Sequence, residues 1–166
     1  KIWGFINNLF KVLRLNAKQY IGFLNFKGSL FNDSCWLTDA QKEMIGVVVS
    51  SYNCCSYCLT THGDALRGYT KNPMLVDKLC YNFRSAKDLL TEKQYALCEY
   101  AWYVTKHADE IDETQIENLR KAGFNDHEIL EAAFVAGFFN YTNRWVSTIA
   151  PVANPGHFSH NRNFEG

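Results

Sequence analysis

A helix-initiation signal that recurs three times restricts most what this chain can fold into. Thr38-Asp39-Ala40-Gln41, Thr91-Glu92-Lys93-Gln94 and Asn125-Asp126-His127-Glu128 each place a capping side chain three residues before a Gln or Glu. In that arrangement two side chains satisfy each other's orphan backbone donors, and a helix starts. The signals predict helices over 38–51, 91–106 and 126–149, the last ended by Pro151. Further helices are predicted over 3–15, 17–31, 54–68 (capped by Asn53 and closed at Gly68), 73–81 (opened by Pro73) and 112–122 (stopped by Gly123). Val47-Val48-Val49 favours a strand by propensity, but the capped start and the length from Thr38 to Ser51 outweigh it. No strands alternate with the helices, so no sheet is required, and the expected fold class is all-α, a compact helical bundle. Its apolar positions are read as Tyr20, Phe23, Leu24, Leu30 and Phe31, then Leu97, Ala101, Trp102 and Val104. In the last long helix they are Ile129, Leu130, Ala133, Phe134, Ala136 and Gly137.

The 166 residues suit one domain, read as 1–152 with a polar C-terminal tail, 153–166, that is partly extended or disordered. With 47% hydrophobic residues the chain can bury a real core. Seventeen basic and seventeen acidic residues cancel. No basic stripe recommends a nucleic-acid partner, and no apolar run approaches a membrane span. The opening residues are amphipathic and interrupted by Asn7 and Asn8, unlike a signal peptide. The start at Lys1 rather than methionine suggests a segment further upstream. Segments 37–49 and 90–102 echo each other as capped helix starts, a hint of internal duplication.

Chemistry concentrates in 43–62. Glu43, Cys55, Cys58 and His62 follow one another with the cysteines at i and i+3 and the histidine four residues on. On a helix the last three share one face. Cys55 and Cys58 would lie in the first turns after the Asn53 cap, where backbone N–H groups and the macrodipole lower a thiol's pKa. Such a pair can react with an oxidant and close a disulfide. His62 can move a proton near neutral pH, and Glu43, on an otherwise apolar helix stretch, is the carboxylate that would orient it. The alternatives are packing and metal. Zinc would draw on Cys55, Cys58, His62 and Glu43 or a water, but structural zinc sites usually take ligand pairs from separate knuckles. Leu59 follows the second cysteine, where c-type haem attachment needs histidine, and the βαβ context of a thioredoxin is missing. Cys54 is read as a spare thiol pointing away from Cys55. Cys35, Cys80 and Cys98 are read as buried small hydrophobes, and His107 and His127 as surface residues near helix ends. His157 and His160 fall in the tail, where a subunit contact is the one role to consider.

The spacing Glu43, eleven residues, Cys55, two residues, Cys58, three residues, His62 resembles the signature of the alkyl hydroperoxidase D-like family within the carboxymuconolactone decarboxylase superfamily. SSYNCCSYCLTTHGDAL, LTEKQYALCEYA and the A-G-F-x-D-x-E-I-L-E-A and F-x-N-x-x-N-R stretches are similar to its peroxidase-related branch, over nearly the whole chain. The resemblance implies an all-α bundle that forms a homo-oligomer, as a dimer, trimer or hexamer, in the cytoplasm. It implies a peroxidase-like thiol–disulfide oxidoreductase without a bound cofactor, whose partners are a peroxide or other small oxidant and an external dithiol electron donor. By position, Cys58 becomes the peroxide-attacking sulfur, Cys55 its disulfide partner, and His62 with Glu43 the proton relay. Two departures stand out. Tyr57 occupies the place of a second histidine in the peroxidase namesake, which removes one relay member. Cys54 stands where glycine is frequent, and its thiol is a possible auxiliary group, as is the Tyr57 phenol. Two other functional classes fit the same family: a lyase or isomerase of the decarboxylase type, which does not need the cysteine pair, and a redox-sensing module whose interface would be Phe138, Phe139, Tyr141 and Trp145.

Overall fold

The computed structural model describes residues 4–162 of the chain, and among them it has helices and no strand. The predicted capping boxes all form: Thr38 Oγ1 accepts from Gln41 N at 3.2 Å while Gln41 Oε1 accepts from Thr38 N at 2.8 Å, and Thr91 with Gln94 and Asn125 with Glu128 repeat the exchange. Each such cap is worth about 1 kcal/mol. Asp112 and Gln115 add a fourth. The α-helices are α1 (Asn8–Leu13), α2 (Ala17–Leu30), α3 (Asp39–Tyr52), α4 (Ser56–Thr70), α5 (Pro73–Tyr81), α6 (Glu92–Lys106), α7 (Glu113–Lys121), α8 (Asp126–Ile149) and α9 (Gly156–Ser159). A 3-10 helix over Phe83–Leu89, absent from the sequence reading, links α5 to α6.

Helix α3 is the central rod, packed by α4, α5, α6 and α8. Met44, Ile45, Val47, Val48 and Val49 are all buried, as in a helix that is apolar on every side. Enclosure, rather than β propensity, decides the conformation of the valine run. Gly46 allows a close approach: a Cβ there would lie 2.4 Å from the Phe139 ring of α8. Lys42 is also buried, with its ammonium 3.6 Å from Asp39 and 3.5 Å from Glu131 and over the Phe31 ring.

Several expectations are corrected by this packing. Helix α1 is shorter than 3–15, because Gly4 is left-handed (φ +70°) and Asn7 is extended; Trp3 lies outside the described residues. On α8, Leu130, Phe134 and Gly137 face outward, while Ala132, Val135, Phe138 and Phe139 turn inward. Phe138 and Phe139 are therefore core residues, and of the expected aromatic interface Tyr141 is the exposed member. Leu24 is exposed, whereas Phe23 stacks on Phe138 and meets Trp145 edge-on. Of the three cysteines read as buried, Cys98 is; Cys35 and Cys80 are half-buried.

The joint between α3 and α4 also differs. Asn53 does not cap α4 but ends α3, and Cys54 follows in the left-handed region (φ +55°). Cys55 N donates to Ser50 O at 3.0 Å and Cys54 N to Ser51 O at 3.1 Å, the paired bonds of a Schellman motif. The same motif ends α7, where Phe124 N reaches Leu119 O and the left-handed residue is Gly123. Cys54 thus holds the position that glycine fills at ordinary cost. Helix α4 begins at Ser56 with Cys55 as its N-cap residue, and it runs past Gly68 to a left-handed Lys71. Gly68 is small for another reason: a Cβ there would sit 3.2 Å from Asn161.

The C-terminal segment is not loose over 153–162. Asn154 accepts from Asn8 N at 2.9 Å and donates to Ile6 O at 3.2 Å. His157 is fully buried, with Nδ1 2.7 Å from Asp64 Oδ2 and Nε2 2.9 Å from Asn7 Oδ1. Arg67 Nη2 donates to His157 O at 2.9 Å. These bonds tie the segment to α4 and to the residues before α1, which a local reading of a polar tail does not reveal.

Candidate active site

Glu43 on α3 and His62 on α4 meet at 2.6 Å, Oε2 to Nδ1, both partly buried. A carboxylate accepting from Nδ1–H sets the tautomer and leaves Nε2 as the nitrogen that can take a further proton. The edge of Phe139 packs on the imidazole, with ring centroids 4.7 Å apart. Gly46, one turn after Glu43, makes room for that ring.

The sulfurs of Cys55 and Cys58 are 2.8 Å apart, well beyond the about 2.05 Å of a disulfide; they are two thiols in contact. Contact makes them unequal. The Cys58 S–H donates to Cys55 and, against the opposing effect of burial, lowers the Cys55 pKa to about 6. The Ser147 hydroxyl, the Cys58 backbone N–H and His62 add to the lowering. Cys58 is pushed the other way, first because it is the donor in that bond, then by burial and by the charge on Cys55; Asn143 offsets part of this. Deprotonation of the pair therefore begins at Cys55, the N-cap residue of α4, where a helix start favours negative charge.

The pair is reached from two sides. A partly enclosed chamber of about 170 Å³ is lined by Cys58, His62, Glu43, Phe10, Phe23 and Phe138. A more open cleft of about 460 Å³ is lined by Cys54, Cys55, Thr60, Ser147, Val152 and Phe158. Tyr57 and Val146 border both. The Tyr57 hydroxyl accepts from Leu9 N at 3.2 Å, so this ring also pins α1; burial raises its pKa.

The sequence reading placed Glu43, Cys55, Cys58 and His62 together, and the fold brings them to one place. It missed the contribution of α8. Asn143, buried, donates to Ser50 Oγ at 3.1 Å, accepts from Asn53 Nδ2 at 3.2 Å and also hydrogen-bonds Cys58. Ser147, one turn on, serves Cys55. The available signal was a run of polar side chains, Asn140, Thr142, Asn143 and Ser147, in the second half of a helix whose first half is apolar toward the core. Cys54 is exposed at the cleft. Cys80 and Cys98 lie elsewhere; burial pushes Cys80 up to about 11 and Cys98 higher still. Among the described residues no group of three or more His, Cys, Asp or Glu is arranged to hold a metal ion, and no helix is long and apolar enough to cross a membrane.

The helical bundle is shared with solved structures. An uncharacterized peroxidase-related protein from Silicibacter sp. TM1040 is 36% identical, with a TM-score of 0.91 over 96% of this chain and 82% of that one. An uncharacterized peroxidase-related protein from Ralstonia eutropha JMP134, described as an alkylhydroperoxidase AhpD core, is 32% identical, with a TM-score of 0.92 over 96% of this chain and 83% of that one. The debrominase Bmp8 shares the fold at 17% identity and a TM-score of 0.79, over 93% of this chain and 81% of that one. No protein-family profile and no curated protein matches the chain. The chain belongs to the alkylhydroperoxidase D-like, carboxymuconolactone decarboxylase-like superfamily, in its peroxidase-related branch. Redox and lyase-type chemistries are both found in that superfamily.

Proposed function

We propose that the protein is a thiol–disulfide oxidoreductase that reduces hydroperoxides through Cys55 and Cys58. The observation that carries this reading is the partly enclosed chamber in which Cys58 shares its walls with a hydrogen-bonded Glu43–His62 pair. Cys58 passes its proton to Cys55 across their contact and attacks the outer oxygen of the hydroperoxide. The O–O bond breaks, and His62 in its protonated form supplies the proton for the departing alkoxide or hydroxide. Cys58 becomes a sulfenic acid; Cys55 attacks its sulfur, the proton that Cys55 had taken up passes to the departing hydroxide, water leaves and the disulfide closes. The sum is two thiols and one hydroperoxide giving a disulfide, an alcohol or water, and water. An external dithiol restores the pair. Such a cycle suits a cytoplasmic, homo-oligomeric protein with no bound cofactor. A decarboxylase-type lyase would have no use for the acidity of Cys55.

The test is to mix reduced protein with hydrogen peroxide or tert-butyl hydroperoxide and count thiols. Two thiols lost per chain, a Cys55–Cys58 disulfide by mass, and loss of rapid consumption in Cys55→Ser and Cys58→Ser are the expected results. Consumption by both variants at the wild-type rate sinks the proposal.

A further inference from the structure

The two sulfurs touch each other, and their residues, both buried, line different spaces. Cys58 lines the partly enclosed chamber of about 170 Å³ and Cys55 the open cleft of about 460 Å³. Tyr57 and Val146, which border both, form the partition. The chamber is walled by Phe10, Phe23 and Phe138 on one hand and by the polar Lys27, Glu43 and His62 on the other, and it has the size of a cavity that holds a benzene-sized molecule, about 150 Å³. The cleft falls in the range of ordinary small-ligand sites, about 300–1,000 Å³. It carries hydroxyls along its length: Ser56 and Thr60, one turn apart on α4, and Ser147 on α8. Its far wall is the chain leaving α8, Ala150 to Ala153, with Phe158 of α9. That wall is held by the buried Asp64–His157 bond and by the bonds of Asn154 to Ile6 and to Asn8 at the start of α1.

We infer that the cleft over Cys55 is a separate docking site for the reductant, a thiol presented on a polar, extended carrier of cysteinyl-peptide character, while the oxidant enters through the chamber over Cys58. This assignment of a partner site rests on the thiol–disulfide reading above. A cysteinyl peptide does not fit the smaller chamber, whereas the cleft has the buried Cys55 in its lining and hydroxyls for the peptide backbone. In the oxidised protein the incoming thiolate attacks Cys55 Sγ. The Cys55–Cys58 bond breaks, a mixed disulfide forms on Cys55, and Cys58 leaves as a thiolate into the chamber that holds His62. A second cysteinyl thiolate, from the same carrier when it is a dithiol or from a second molecule when it is glutathione, attacks the carrier sulfur of the mixed disulfide and releases Cys55 as a thiolate. The two carrier thiols are oxidised to one disulfide, and their protons end on the Cys55–Cys58 pair. Tyr57 here separates the two routes, where a relay histidine would not be needed.

Two substitutions fill one space each. Val152 is exposed on the cleft wall, and its backbone carbonyl, not its side chain, accepts from Asn8; Ala65 lines the chamber. The oxidation half is read with hydrogen peroxide and tert-butyl hydroperoxide. The reduction half is read with reduced glutathione on protein whose disulfide was formed with diamide, so that it reports on the cleft even if peroxide is not the oxidant. Val152→Trp is expected to slow reduction by glutathione at least tenfold and to leave peroxide oxidation within twofold; Ala65→Phe is expected to do the reverse with tert-butyl hydroperoxide. Equal slowing of both halves by Val152→Trp, or unchanged reduction, overturns the inference. If Val152→Trp does not fold, Ala65→Phe decides: slowing reduction as much as oxidation is the overturning result. A wild-type protein that ignores peroxide but whose glutathione reduction responds to Val152→Trp sinks the peroxidase reading and leaves the cleft standing.

Discussion

Glu43 and His62, nineteen positions apart in the chain, are joined at 2.6 Å through Nδ1 of the imidazole. The bond runs between α3 and α4, so the orientation of the ring depends on how two helices pack. It predicts that Glu43→Gln, which keeps the size of the side chain but not its charge, slows hydroperoxide reduction by about 10²-fold, the lower end of general acid–base contributions. Oxidation of the same variant by diamide, which needs no proton for a leaving alkoxide, should change by less than threefold. Comparing the two oxidants by stopped-flow checks this; equal losses would mean that Glu43 only supports the fold.

The acidity of Cys55 depends chiefly on the S–H of its partner. With a folded-state pKa of about 6 against an ordinary 9.0, Cys55 is mostly thiolate above pH 6, and the rate of alkylation by iodoacetamide should rise through that pH and then level. Because the folded pKa is the lower one, the folded state binds fewer protons between pH 6 and 9. This group's contribution to stability is therefore full above 9 and is lost as pH falls through 6. Cys58→Ala removes the donor and should move the alkylation midpoint up. Cys58→Ser keeps a donor and should hold it low, and Ser147→Ala should raise it by a smaller step.

Gly46 is where the Phe139 ring of α8 lies against the backbone of α3. A methyl there would lie 2.4 Å from the Phe139 ring, which cannot retreat without leaving His62. Gly46→Ala should therefore destabilise the protein by about 1–3 kcal/mol through overpacking, in spite of alanine's better helix propensity. Urea denaturation gives the stability, and the peroxide rate of the folded variant should fall with it.

Cys54 occupies a left-handed position (φ +55°). That conformation costs a residue with a Cβ about 1–2 kcal/mol, while glycine gives back about 0.5–1 kcal/mol in chain entropy. Cys54→Gly should thus raise stability by up to about 1 kcal/mol, measured as a higher denaturation midpoint. It should leave the Cys55–Cys58 disulfide as fast to form as before; a slower rate would give Cys54 a part in the chemistry.

What the residues disclosed in advance followed the range of the forces involved. Capping boxes act over four residues, so the starts at Thr38, Thr91 and Asn125 were readable with no knowledge of the fold. The spacing of Cys55, Cys58 and His62 is likewise local, and Glu43 lies on the preceding helix. Asn53 misled because an asparagine ahead of a helix suits either a cap or the end of the previous helix; the left-handed residue that decides the matter is a cysteine, where a reader looks for glycine. Asn143 and Ser147 reach the sulfurs from a helix more than eighty residues further along the chain, and only packing reveals that. The same holds for His157, whose partner Asp64 lies ninety-three positions earlier; nothing near either residue announces the other.

The stitching of residues 6–8 to 152–157 places the rims of both openings in two segments that hold each other. Phe10 and Leu9 close one space, and Val152 and Phe158 the other. A proteolytic nick in either segment would therefore be felt at the sulfurs of Cys55 and Cys58, and a substitution that pries one side of this seam apart would unfasten the other.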